Sequence, residues 1–287
     1  MVLIAQNRGV GPGRRYNETM QRVVRSTMLF SLAGIAGLAI AARPFGFDKI
    51  PLRFHPSAGS KLMYETSTKT DQDLGEGNTS TNSKVTIRCE VLTADDKGAQ
   101  VRMTIDDMKT DSTAMEGMVD EIKGKSFVAT FDDRARATSL KGDGSELAQL
   151  AAGVLGSAGF LGVEFPADPV DVGSTWASKL DVGKIVSAMA PGGSASADST
   201  IPVTYKVSGI TDEGGKKLVK VDFTIKGATN LSISGMDMGM NMDAAGTVSV
   251  DAATGLIQEE TSKGSSTMDV AGRTVTTKTA TEIKLKK

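Results

Sequence analysis

Beyond about Lys49 the chain alternates apolar and polar residues with a period of two, broken by short clusters of Gly, Asp, Asn and Ser. Side chains on a strand point to opposite faces in turn, so the pattern predicts antiparallel strands with one buried and one wet face. Strands are predicted over 61–70, 82–93, 99–111, 125–132, 202–211, 217–231 and 255–263. A last pair follows at 267–270 and 273–285, joined by a turn at Ala271-Gly272. Lys284, Lys286 and Lys287 end the chain, where lysines would discourage edge-to-edge pairing of a terminal strand.

The pattern is written twice. Val85-Thr86-Ile87-Arg88 leads to a turn at Asp95-Asp96-Lys97-Gly98 and a return through Val101 to Ile105. Val203-Thr204-Tyr205-Lys206 leads to Asp212-Glu213-Gly214-Gly215 and a return through Val219 to Ile225. A Gly-Ser element precedes each, at Gly59-Ser60 and Gly173-Ser174, and a further alternation follows each, at 126–132 and 246–251. Four elements in the same order indicate an internal duplication. The expected fold is mainly β: an antiparallel, internally duplicated curved sheet, half-barrel or sandwich with one or two packed helices. The expected segments are an N-terminal export signal over 1–42, a first β repeat over 43–142, a connecting helix over 143–164, and a connector with the second repeat over 165–287.

Two stretches depart from the period of two. Residues 145–160 carry Leu147, Leu150, Val154, Leu155 and Ala158 at helical spacing, with Ser145 placed as a cap. Residues 181–190, with Ile185, Val186 and Met189, predict a second short helix before Pro191. Near the start, 28–42 is apolar and free of charge, follows Arg22 and Arg25, and ends in the small residues Ala39-Ile40-Ala41. A helix of that length reaches only ~22 Å, short of a ~30 Å hydrocarbon core. It reads as a cleaved export signal, with an uncleaved anchor as the alternative, and Met20 would make a more conventional start than Met1. The expected location is the periplasm or the extracellular space.

The connector reads Phe165-Pro166-Ala167-Asp168-Pro169-Val170-Asp171-Val172-Gly173-Ser174-Thr175-Trp176. The prolines keep it extended, and Trp176 is expected in the core with its N–H on a carbonyl. This segment, with the looser Gly59-to-Tyr64 element, resembles a bacterial family of exported proteins of unknown function that carries a Phe-Pro-x-x-Pro-Val-x-Val-Gly-x-Thr-Trp motif between two β-rich halves. The resemblance implies export and the two-part architecture, and brings no chemistry. In layout alone the chain also resembles the curved half-barrels of bacterial lipoprotein carriers.

Composition narrows the function classes. With 33 Lys and Arg against 34 Asp and Glu there is no basic excess to hold nucleic acid. One histidine, His55 beside Pro56, and one cysteine, Cys89 inside a strand, supply neither a catalytic triad nor a zinc site, and no phosphate loop is present. Asp95-Asp96, Asp106-Asp107 and Asp132-Asp133 lie near turns, where Asp caps backbone N–H groups. No catalytic residue, metal site or cofactor is assigned, and the chain is not expected to be an enzyme. The cluster Met236-Asp237-Met238-Gly239-Met240-Asn241-Met242 places Met236, Met238, Met240 and Met242 on one strand face. Such a face lines adaptable apolar space, or holds Cu(I) if another strand adds a thioether. These residues, with Trp176, Leu150 and Leu155, are the candidate lining of a site for a lipid or other apolar ligand. The alternatives are a structural envelope or surface protein without a small ligand, and Met-rich Cu(I) binding. The expected partners are an apolar small molecule or an envelope protein, with membrane contact only through an uncleaved N-terminal segment.

Overall fold

The structure, a computed structural model, describes residues 49–75, 77–142, 163–182, 199–233, 236–270 and 273–286. The first half contains β1 (Lys61–Asp73), β2 (Asn78–Asp95), β3 (Gly98–Thr110), a helix α1 (Thr113–Ile122), β4 (Ser126–Asp132) and β5 (Ala137–Gly142). The second contains β6 (Thr175–Asp181), β7 (Thr200–Glu213), β8 (Lys216–Ile233), β9 (Met236–Asp251), β10 (Ile257–Val270) and β11 (Arg273–Lys286). They form a single curved, open antiparallel sheet of 11 strands in the order β5-β4-β3-β2-β1-β11-β10-β9-β8-β7-β6. Each half is a meander in which chain neighbours pair, and both run in the same order. The one non-sequential pairing zips β1 to β11 from Met63↔Lys286 to Asp73↔Thr276.

The alternation decides which face is inside. Tyr64 and Thr66 on β1, Val85, Ile87, Cys89 and Val91 on β2, and Val203, Tyr205 and Val207 on β7 are buried, while the residues between them are wet. The buried side chains gather into two apolar clusters, one on each half, and Phe54 and Ile257 pack against both. Ile283 belongs to the first cluster although β11 comes last in the chain. β11 is therefore a central strand and not the edge its terminal lysines suggested. Those lysines serve the outer face instead, Lys286 bonding Glu65 and Lys284 bonding Glu259 and Glu282.

A seam strand ties the halves together. Ile50 and Val170 exchange backbone hydrogen bonds of 2.7 and 2.8 Å, Phe54 N–H donates to the Asp133 carbonyl, and His55 N–H donates to that of Thr254. Gly255 faces the Arg53 carbonyl so closely that no Cβ fits, and its φ of 70° suits only glycine. Arg53 donates to the Pro166 and Ala167 carbonyls at 2.9 and 2.6 Å. The connector is thus stitched along its length and not a free linker, and Phe165, at 1 % exposure, is core.

Two elements lie outside the sequence expectation. α1 occupies the link between β3 and β4, with Ile122 buried and Val119 packed on the first cluster, and β5 extends the sheet beyond β4. The helix expected over 145–160, including Leu150 and Leu155, lies outside the described residues. Of the helix expected over 181–190, Asp181 ends β6 and 183–190 lie outside the described residues. The segment 1–42 lies outside them as well. Among the described residues no helix is long and apolar enough to cross a membrane.

Candidate functional site

The inner face changes character along the strands. At one end the clusters, Phe54 and the connector close over the sheet and leave a pocket of about 50 Å³, lined among others by Leu62, Tyr64, Cys89, Phe131 and Phe165. That volume holds a few waters or the tip of a ligand, not a lipid. Burial pushes the Cys89 thiol up to about 12 and raises the Tyr64 hydroxyl above its usual range, so neither ionises near neutrality. Cys89 is an inert core thiol, as its place on a strand predicted.

The next level of the sheet is the rung Val85–Thr66–Ile283–Glu260–Val248–Val221, which crosses β2, β1, β11, β10, β9 and β8. All six side chains are buried. Two of them are polar, and neither Thr66 Oγ1 nor Glu260 Oε2 has a hydrogen-bond partner among the described residues. A register shift between Ile257 and Glu259 inserts a bulge into β10 and turns Glu260 inward. Burial raises its carboxyl to about 8, so it is protonated at neutral pH.

Beyond that rung the apolar filling ends. The following rung is Thr110–Ser83–Thr68–Thr281–Ser262–Gly246, six small residues on β3, β2, β1, β11, β10 and β9. A cleft of about 990 Å³ lies at this level and spans the same six strands. Small side chains leave room along most of this rung, while at Gly246 the Phe223 ring fills the space, 2.6 Å from where a Cβ would stand. Lys69, Lys84, Lys109 and Lys263 lie one residue out of phase with this rung, so their side chains project to the opposite, outer face together with Glu65 and Glu282. Lys84 is held by Glu65 at 2.8 Å, and Lys109 and Lys263 have no ion pair among the described residues. The cleft face itself therefore carries the methyls and hydroxyls of threonine and serine.

The sequence candidates fall elsewhere. Trp176 stacks on Tyr205 with ring centroids 5.1 Å apart and donates its indole N–H to the Glu164 carbonyl at 2.7 Å. Met238 is buried, and Met240 and Met242 are half-buried against Val182 and Ile201. None of these lines the large cleft; Met242 lines a separate depression of about 450 Å³ with Gly227 and Ala228. Met236 opens β9 opposite Ile233. The structure brings the described methionines together and does not bring Trp176 to them. His55 is exposed and donates from Nδ1 to the Asp95 carbonyl at 3.0 Å, and no cluster of His, Cys, Asp and Glu fit for a metal occurs among the described residues.

Comparison with known proteins places the architecture. The fold is similar to that of part of lipovitellin. The matching lipovitellin structure, described in terms of lipid–protein interactions, superposes with a TM-score of 0.51 at 8 % identity over 80 % of this chain. The chain spans about a quarter of that protein, 25 % of its length. A second solved structure, DynF from the dynemicin biosynthesis pathway of Micromonospora chersina, matches over 85 % of the chain with a TM-score of 0.22 at 9 % identity. No family profile matches the chain, and no curated protein is similar to it.

Proposed function

We propose that the protein is an exported, non-catalytic binding protein for an amphiphile with an apolar chain, such as a lipid, held in the cleft over the Thr68–Thr281 rung. The observation that carries this reading is the cleft of about 990 Å³ across six strands, a volume typical of small-molecule sites. The fold likeness to lipovitellin, a protein studied for its lipid contacts, is compatible with that ligand class. Protein purified from an exporting host without detergent and weighed under native conditions tests it. The reading expects a co-purifying mass of lipid size that organic extraction removes. A bare mass from every preparation, with no uptake of added lipid, contradicts it.

One observation favours a structural envelope role instead. The apolar end of the sheet is closed to a pocket of about 50 Å³ within an apolar core that Phe54 and Ile257 make continuous between the halves. That reading predicts a bare chain in the same experiment.

A further inference from the structure

The methionine face of β9 gains a member from the next strand. Met240 pairs directly with Met268 of β10, and directly paired residues of an antiparallel ladder project to the same face. Their Cβ atoms stand roughly 4.5–5.5 Å apart, and Met238 and Met242 flank Met240 two residues away on the same face. Four thioethers thus share one patch built from two adjacent strands. On the same face of β9, Ala244 and Gly246 separate the patch from Val248 and Val250, so the thioethers lie beyond the β-branched filling. Methionine is not favoured by strand backbone, which prefers Val and Ile.

The surroundings leave those side chains room to converge. Met240 is opposed on β8 by Thr229, Met242 by Gly227, and on β10 Met242 is opposed by Ser266. Small neighbours do not hold the long thioether arms apart. Met240, Met242 and Met268 are half-buried, so the patch is reachable from solvent while Met238 supports it from the core.

We propose that Met240 and Met268, with Met238 or Met242 as third donor, form a binding site for a soft monovalent metal ion, Cu(I) or its analogue Ag(I). Thioethers are neutral, soft donors and match these ions in preference to zinc, magnesium or calcium. A singly charged ion among neutral sulfurs carries a smaller desolvation cost than a divalent one at the same depth. Cys89, the one thiol that could compete, is buried in the cluster of the other half and stays protonated. The site is separate from the amphiphile cleft and does not depend on it.

The test is anaerobic titration of the full chain with Cu(I) supplied from a coloured chelator complex, with Ag(I) in parallel. The expected result is stoichiometric uptake with a first shell of sulfur alone by X-ray absorption. Met240→Leu combined with Met268→Leu, which keeps side-chain volume, should abolish it, and Met103→Leu in the other half should leave it unchanged. Should the double variant fail to fold, Met268→Leu alone, at a half-buried position, carries the test and should weaken uptake. No uptake by the unaltered chain, a shell containing nitrogen or oxygen, or full uptake by the folded Met variants overturns the site.

Discussion

Glu260 concentrates the chemistry of single residues in this fold. Its carboxyl sits at 2 % exposure with one oxygen unpartnered, and burial raises it from 4.5 to about 8. Between those values the unfolded chain releases this proton while the folded chain keeps it. Glu260 therefore penalises folding increasingly as pH rises from about 4.5 to about 8, at up to about 1.4 kcal/mol per pH unit, and the penalty then levels off. Urea unfolding across that range should show stability falling in the parent chain, with a flatter profile in Glu260→Gln. A profile of equal slope in both would show that Glu260 is not the responsible group. Ile283, its neighbour on the same rung, is fully buried, so Ile283→Ala should cost about 2–5 kcal/mol in the same assay. Glu260 was not legible in the sequence. Ile257-Gln258-Glu259-Glu260 gives no sign that a bulge will turn the second glutamate inward, because bulges depend on pairing between strands.

At the scale of elements, hairpins were readable and their company was not. Val85 to Ile105 and Val203 to Ile225 alternate, with bulges, around Asp- and Gly-rich turns, and both became the expected hairpins, β2–β3 and β7–β8. The turn Asp95-Asp96-Lys97-Gly98 is capped as Asp-rich turns are, with the Asp95 carboxylate accepting from Lys97 N–H at 2.8 Å. α1 was legible in principle: Met115, Met118, Val119 and Ile122 fall at helical spacing, but in so short a window that strand periodicity on both sides conceals it. The seam formed by 50–55 and the connector could not be read, since its bonds join residues more than a hundred positions apart. It tests readily: Gly255→Ala places a Cβ against the Arg53 carbonyl and forces an unfavourable φ. That substitution should lower stability by about 1–2 kcal/mol from the backbone alone and more from the clash. Gly59→Ala, with a similar φ of 79° and open space around it, separates the two effects by showing only the first.

Over the whole molecule, the first and last strands meet at the centre of the sheet. Closing β1 on β11 joins residues more than 200 positions apart, as Thr68 and Thr281 show with a separation of 213. Such a pairing forms late, because the loop it closes carries the largest entropy cost. Pulsed hydrogen exchange should therefore protect the β2–β3 and β7–β8 hairpins before the β1–β11 ladder. Simultaneous protection of all three would contradict that order. The finished sheet is packed at one end and open at the other, and the cleft over the small-residue rung is what the binding proposal rests on. The most direct measurement of it is titration of a fluorescent fatty acid into the parent chain and into Ser83→Phe/Ser262→Phe, which fills the rung. The account predicts saturable binding by the parent chain and marked weakening in the folded double variant. Absence of saturable binding, or equal affinity in the two proteins, would contradict it.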